Sequence, residues 1–393
     1  LRNLFKKVVY VRNITDIDDK INDKAKKEKV SIEIISLKYT KVYQENMRAL
    51  NVLPPDIEPT VTQNIHSIIK MISTLLEKKN AYEAENHILF HVPSFKNYGN
   101  LSKRKKDEMI EGARIEVAPY KKDPMDFILW KPSTKDQPGW DSPWGRGRPG
   151  WHIECSSIIK TYLGETIDIH LGGNDLIFPH HENEIAQSNC AHDGKSLSKY
   201  WIHNGFISMN KEKMSKSVGN IILVNDILKN YTGEAIRLAM LTTHYKQPLD
   251  WNENILIQAN KNLENFYDVI GDKKNFESIE PPKKFFDALL NDLNTPEALK
   301  ELYELSKNKN TKDQLKSAAN YLGILQLTKT EWINQRKKIK NLDQKKIEKL
   351  ISNRNKARKE KNFVEADKIR DKLTLDNIIL EDSPSGTKWR INN

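Results

Sequence analysis

Only two cysteines, Cys155 and Cys190, occur in 393 residues. A disulfide framework is therefore excluded, and a reducing cytoplasm is the expected setting. No run approaches the roughly 18 apolar residues that a membrane-spanning helix needs, and no signal-peptide pattern opens the chain. Internal repeats and low-complexity tails are also missing, which argues against solenoids and disordered linkers. Arginine is scarce beside lysine, while Asn, Ile and Lys are abundant throughout, as in proteins from AT-rich genomes. The net charge of +11 and pI of 9.2 thus fit a nucleic-acid partner without establishing one.

With 38% hydrophobic and 30% charged residues, the chain has the composition of a soluble globular protein, and its length suggests two to four domains at about 100–200 residues each. Residue 1 is Leu, and Val8-Val9-Tyr10-Val11 reads as a buried parallel strand already inside a domain, so the chain is expected to lack an N-terminal portion. That strand runs into Asn13-Ile14-Thr15-Asp16-Ile17-Asp18-Asp19-Lys20, polar residues well placed for a site at a strand's C-terminal end. Ile65, Ile68, Ile69, Ile72, Leu75 and Leu76 fall at helical spacing. Residues 121–151, rich in Pro, Gly and Trp, suit neither a helix nor a solvated linker and are expected to line something. A strand at Ile167-Asp168-Ile169-His170 ends in Gly172-Gly173-Asn174-Asp175, and a helix is expected from near Pro179. Beyond residue 220 the pattern turns helical, with a seam near 271–282. Asn294-Thr295-Pro296-Glu297 reads as a helix start. A lysine-rich helical stretch spans roughly 343–373, and residues 378–390 read as a hairpin turning at Pro384-Ser385-Gly386.

Two constellations carry chemistry. His180 and Glu184, four residues apart, would leave one helix face about a turn apart, where an imidazole and a carboxylate can grip one ion. A thiolate from Cys155 would make that site suit zinc. Cys190, at about 240° around the helix from Glu184, faces away and reads as a small buried residue, and His181 is likewise rotated by ~100° from His180. The second constellation is Lys213-Met214-Ser215-Lys216-Ser217. Two lysines on a mobile loop can stabilise charge developing on a pyrophosphate leaving group, although a solvated basic turn has the same composition.

Lys213–Ser217 matches the KMSKS signature of class I aminoacyl-tRNA synthetases. Together with Trp151-His152-Ile153-Glu154-Cys155, Phe178-Pro179-His180-His181-Glu182-Asn183-Glu184 and the 13–20 block, it resembles the cysteinyl-tRNA synthetase family over essentially the whole chain. The resemblance implies one zinc ion in the amino-acid pocket, with Cys155, His180 and Glu184 as ligands. It also implies that a fourth ligand, a cysteine, and the His-Ile-Gly-His signature lie upstream of Leu1. Thr15, Trp151 and His170 match residues that close around the substrate. Gly172, Gly173 and Asp175 match a loop that accepts adenosine and ribose. Lys216 resembles the ATP-contacting lysine, with Lys213 supporting. Arg358, Asp367 and Asp382 match positions that contact anticodon bases, and Phe363 stands where a tryptophan is common.

The implied architecture is an α/β, Rossmann-type catalytic domain at 1–220 with an insertion at about 21–140. A stem-contact region at 221–280, a helical bundle at 281–342 and a small α+β anticodon domain at 343–393 follow. The implied function is cysteine–tRNA ligation: ATP, with Mg2+, activates cysteine to the adenylate, and the aminoacyl group passes to tRNA(Cys). A cytoplasmic monomer is expected. Two alternatives stay open, a zinc-dependent paralogue joining cysteine to a sugar amine, which should lack the 343–393 tail, and a non-catalytic tRNA-binding remnant.

Overall fold

The computed structural model describes the chain except residues 105–107, 110–117, 210–211, 215–218, 275, 277–278, 340–343, 361, 376–377, 384–385 and 392–393. Two compact units form, one from residues 1–45 and 53–205, the other from 46–52 and 206–393. Among the described residues no helix is long and apolar enough to cross a membrane.

In the first unit, helix α1 (Asp19–Glu28) starts where the Asp18 carboxylate accepts from the Lys20 amide at 2.8 Å, satisfying an otherwise orphaned N–H. Helix α2 (Ile32–Ala49) follows, and α3 (Ile65–Glu77) bears the expected apolar stripe, burying Ile65, Ile68, Met71, Ile72 and Leu75. Strands β1 (Ala81–Ala84), β2 (His87–Phe90), β3 (Phe127–Pro132) and β4 (Gly147–Pro149) make an antiparallel sheet in that order. The Gly/Pro/Trp-rich stretch thus supplies two strands. Glycine is required there by close approach: a Cβ on Gly150 would lie 2.0 Å from the Ile128 carbonyl oxygen.

Helix α4 (Trp151–Tyr162) leads to β5 (Ile167–Gly173), and α5 (Glu182–Ala191) connects β5 to β6 (Ser198–Asn204). These two strands pair in parallel, with His170 opposite Trp201 and Gly172 opposite His203. This is a βαβ unit, whose strand C-terminal ends are where open α/β sheets place ligands. One core joins Ile68, Ile72, Leu75, Ile88, Phe90, Leu129 and Trp130 to Ile153 and Ile158 of α4 and Ala186 of α5. The helices that carry the candidate site are therefore anchored to the antiparallel sheet.

The opening segment departs from expectation. Rather than a buried strand, it makes isolated parallel bridges at Val11–Ile57 and Ile14–Thr60, and Val9 and Tyr10 are exposed. Single bridges on one side leave the β-branched run with no sheet face to bury it.

In the second unit, β7 (Ile207–Met209) pairs antiparallel with β8 (Glu212–Lys213) and parallel with β9 (Leu249–Trp251). Helices α6 (Gly233–Leu241), α7 (Glu253–Ile270), α8 (Lys283–Leu290), α9 (Thr295–Ser306), α10 (Lys312–Tyr321) and α11 (Lys329–Ile339) come next. They share one core that includes Leu238, Leu263, Phe266, Phe285, Leu302, Leu315 and Trp332. Residues 271–282 join two helices of this same core. Asn294 caps α9 as its sequence suggests, accepting from the Glu297 amide at 3.1 Å. The tail has its own small core, Ile347, Ile351, Ile369, Leu373 and Ile378. It is built from α12 (Gln344–Lys359), α13 (Phe363–Leu375) and the hairpin β10 (Ile378–Ser383) and β11 (Gly386–Ile391). The lysine-rich stretch is therefore two helices, and Asn362 caps the second by accepting from the Glu365 amide at 3.2 Å.

Candidate metal centre

Trp151, His152 and Cys155 open α4, and spacings of three and four put them on one face of that helix. Opposite them, the helix expected from Pro179 begins only at Glu182. A wide turn, Ile177–His181, precedes it, with Phe178 extended and buried. His180 and Glu184 meet nonetheless, Nε2 standing 2.7 Å from Oε1. Ligand atoms of Cys155, His180 and Glu184 all lie within 4.8 Å of one another.

The electrostatics of this triad favour a cation. Burial alone would raise the Glu184 carboxyl, but His170 and His180 outweigh it and hold the group well below the usual carboxylate range. Its Oε1 is fully buried and lacks an aligned hydrogen bond despite the neighbouring imidazole. Burial first, then the charges of Glu184 and Glu154, push the Cys155 thiol well up. A thiolate there needs a compensating positive charge, and a divalent ion supplies it to sulfur and carboxylate together. One thiolate, one imidazole and one carboxylate are a zinc donor set, so these residues fit that ion.

An outer layer orients the three. Glu184 Oε2 accepts from His170 Nε2 at 2.5 Å. His180 Nδ1 lies 2.8 Å from Nδ1 of His152. Burial, chiefly, lowers the His152 pKa to about 3, so that imidazole stays neutral. A proton shared on this side leaves His180 Nε2 free to ligate. His181, expected to face away from His180, instead brings a ring nitrogen within 4.8 Å of the Glu184 carboxylate. Its Nδ1 meets His203 Nε2 at 2.8 Å, and burial lowers its pKa to about 3. A second group of ligand atoms, His170, His181 and Glu184, shares the same carboxylate.

The other expected residues distribute as follows. Trp151 is 52% exposed, with its ring centroid 4.3 Å from that of His180. His170 has its Nε2 committed to Glu184. A Cβ on Gly172 would come within 2.6 Å of the His181 ring, and one on Gly173 within 2.5 Å of the Asp175 carboxylate. Asp175 and Thr15 are exposed. Lys213 ends β8, paired with Ser208, but its side chain and the whole of Lys216 lie outside the described residues. In the tail, Arg358 and Asp382 hydrogen-bond to each other at 2.8 Å, and Asp367 and Phe363 are exposed on α13. Cys190 is half-buried, packs at the edge of the first unit's core, and stays outside the metal-ligating groups.

Sequence reasoning passed over His152, Trp201, His203 and Arg354. His152 and Arg354 carried a usable signal, standing three residues before Cys155 and four before Arg358 on the same helix. The other two join their partners through the tertiary fold.

Known proteins resemble this chain over most of its length. The family model described as tRNA synthetases class I (C) catalytic domain matches residues 1–261, and that of the DALR domain matches residues 284–326. The cysteine–tRNA ligase of Parvibaculum lavamentivorans is 52% identical over 406 residues, covering 100% of this chain and 86% of that protein. Those of Paramagnetospirillum magneticum and Rhodospirillum rubrum are 49% and 48% identical, each covering 99% of this chain and 88% of the relative. Among solved structures, Mycobacterium tuberculosis methionyl-tRNA synthetase in complex with methionyl-adenylate aligns with a TM-score of 0.54 at 13% identity. That alignment covers 80% of this chain and 82% of the other, and is a likeness of fold.

Proposed function

We propose the following mechanism from one premise, that this chain belongs to the cysteine–tRNA ligase family of class I tRNA synthetases. The reaction joins cysteine to ATP, giving cysteinyl-adenylate and pyrophosphate, and then transfers the cysteinyl group to the 3′ end of tRNA(Cys). The observation that carries the amino-acid specificity is the convergence of Cys155, His180 and Glu184.

Cysteine and serine differ by one atom, and pocket shape discriminates so small a difference by only ~10–200-fold. Cys155, His180 and Glu184 would hold a zinc ion, which when bound supplies a soft Lewis acid that prefers a thiolate to a hydroxyl. His170 keeps the Glu184 carboxylate turned toward His180, and His152 keeps His180 Nε2 available. The half-exposed face of Trp151 is available to cover the substrate side chain, and Thr15 to meet its amino group. At the end of β5, Gly172 and Gly173 leave room for adenosine, and the Asp175 carboxylate can accept from ribose hydroxyls. Lys213 and Lys216 would stabilise charge developing on pyrophosphate, and Mg2+ would accompany ATP.

The tail, through Arg358, Asp367 and Asp382, would contact the anticodon. Its folded core argues against the sugar-amine paralogue, in which this region is absent. We assign the catalytic domain to 1–220 with its insertion at about 21–140, the stem-contact region to 221–280, the bundle to 281–342 and the anticodon domain to 343–393, in a cytoplasmic monomer.

The decisive experiment measures zinc content and amino-acid-dependent pyrophosphate exchange by the full-length gene product. One zinc per chain and discrimination against serine well beyond ~200-fold are expected, since shape alone cannot exceed that. A product that activates serine as readily as cysteine would refute the proposal.

A further inference from the structure

The Glu184 carboxylate offers two oxygens, and each faces a different imidazole. Oε1 stands 2.7 Å from His180 Nε2, on the side of the Cys155 triad. Oε2 stands 2.5 Å from Nε2 of His170, on β5. A ring nitrogen of His181 joins that second side, so ligand atoms of His170, His181 and Glu184 all lie within 4.8 Å of one another. Glu184 and His181 are both buried, and a charge placed between them is little screened by water. His181 Nδ1 meets His203 Nε2 at 2.8 Å, which leaves His181 Nε2 for a ligand. Gly172 keeps that nitrogen clear, because a Cβ there would lie 2.9 Å from it.

We propose that His170, His181 and Glu184 form a second cation site, which takes a zinc ion when zinc is in excess and shares the Glu184 carboxylate with the ion of the Cys155 triad. Two imidazoles and one carboxylate are a zinc donor set, and a carboxylate between two ions recurs in two-metal sites. The second ion binds the more weakly of the two. It gains no thiolate, and its carboxylate already serves the first ion. The protein as isolated therefore carries the first ion alone, and the second site fills only as free zinc rises. His170 serves the first ion from outside its ligand set and ligates only the second, which takes the place of the hydrogen shared with Oε2. With that hydrogen bond gone, excess zinc slows cysteine activation. This consequence rests on the proposed function; the site itself does not.

The test titrates the metal-free full-length protein with Co2+, a probe whose bonds to thiolate give a near-ultraviolet charge-transfer band and whose bonds to nitrogen and oxygen do not. Two equivalents are expected, the first with the sulfur band and the second with weak ligand-field absorption only. H203A removes the partner that orients His181. It should weaken the second equivalent by ~10–100-fold, the usual effect of losing an outer-layer partner, while the sulfur band forms as in the parent. H181A should lose more than H203A, and the sulfur band reports that each variant is folded. If H181A gives no band, H181Q replaces it with the same expectation. Cysteine-dependent pyrophosphate exchange is then followed at free zinc levels fixed by a metal buffer. The parent should be inhibited as the second site fills, and H203A should need ~10–100-fold more free zinc.

A titration that stops at one equivalent overturns the second site and leaves the triad standing. A second equivalent bound as tightly by H181A and H203A as by the parent marks an adventitious ion only, and overturns it too. If the sulfur band never forms in the parent, the triad fails as the first site, whereas an equivalent that depends on His181 still upholds the second. Full exchange activity with the second site filled overturns the inhibition.

Discussion

Replacing His170 by Ala should weaken zinc binding without removing a ligand. His170 Nε2 is the donor to Glu184 Oε2, at 2.5 Å, and the Glu184 side chain is only 1% exposed. Without that bond the carboxylate loses the donor that fixes its Oε2 and can rotate away from the sulfur. Loss of an outer-layer partner typically costs 10–100-fold in metal affinity, or about 1.4–2.7 kcal/mol. Competition against a zinc-chelating dye measures this directly. H87A is the control, because His87 is half-buried and stacks on Tyr120 rather than on the triad. C155S, which removes a ligand, should fall further than H170A. Unchanged zinc affinity in H170A, with a raised KM for cysteine, would refute the reasoning and return His170 to the substrate-contact role its sequence position suggests.

Two further outcomes test the second unit. A Cβ on Gly233 would lie 1.7 Å from the Ala49 carbonyl oxygen, a backbone atom with little freedom to yield. G233A should therefore cost about 3 kcal/mol, the upper end for overpacking, and an unchanged urea midpoint would show that residues 46–52 do not pack there. For Asp382 the folded pKa is depressed by Arg354 and then Thr387, while the unfolded value is about 3.9. The group thus contributes stability above the unfolded pKa, and that contribution is lost as pH falls toward the folded value. Urea midpoints should drop more between pH 6 and pH 3 in the wild type than in D382N, and equal drops would exclude the linkage.

Where local chemistry decides the structure, the sequence could be read. The stripe Ile65, Ile68, Ile72 and Leu75 is a helical period and is buried as one. Asn294 precedes Pro296 and Glu297, and it caps its helix. Asn362, three residues before Glu365, carried the same kind of signal for the break between α12 and α13, and the lysine-rich composition obscured it. The opening run Val8–Val11 was misread for a different reason. β-branched residues fit a pleated surface, but burial depends on which strands lie alongside, and of this run only Val11 makes a bridge, to Ile57.

The two sites divide along the same line. His180 and Glu184 were found from a helical spacing, although a wide turn rather than a helix precedes Glu182. The pair still meets, His180 Nε2 standing 2.7 Å from Glu184 Oε1. A match of residue types therefore survived an error in secondary structure. In the tail the same kind of match named Arg358 and Asp382 as separate contacts. It could not reveal that they bond to each other, or that Arg354 saturates the carboxylate between them. Residue identity transfers between relatives, but hydrogen-bond capacity is a property of the assembled site.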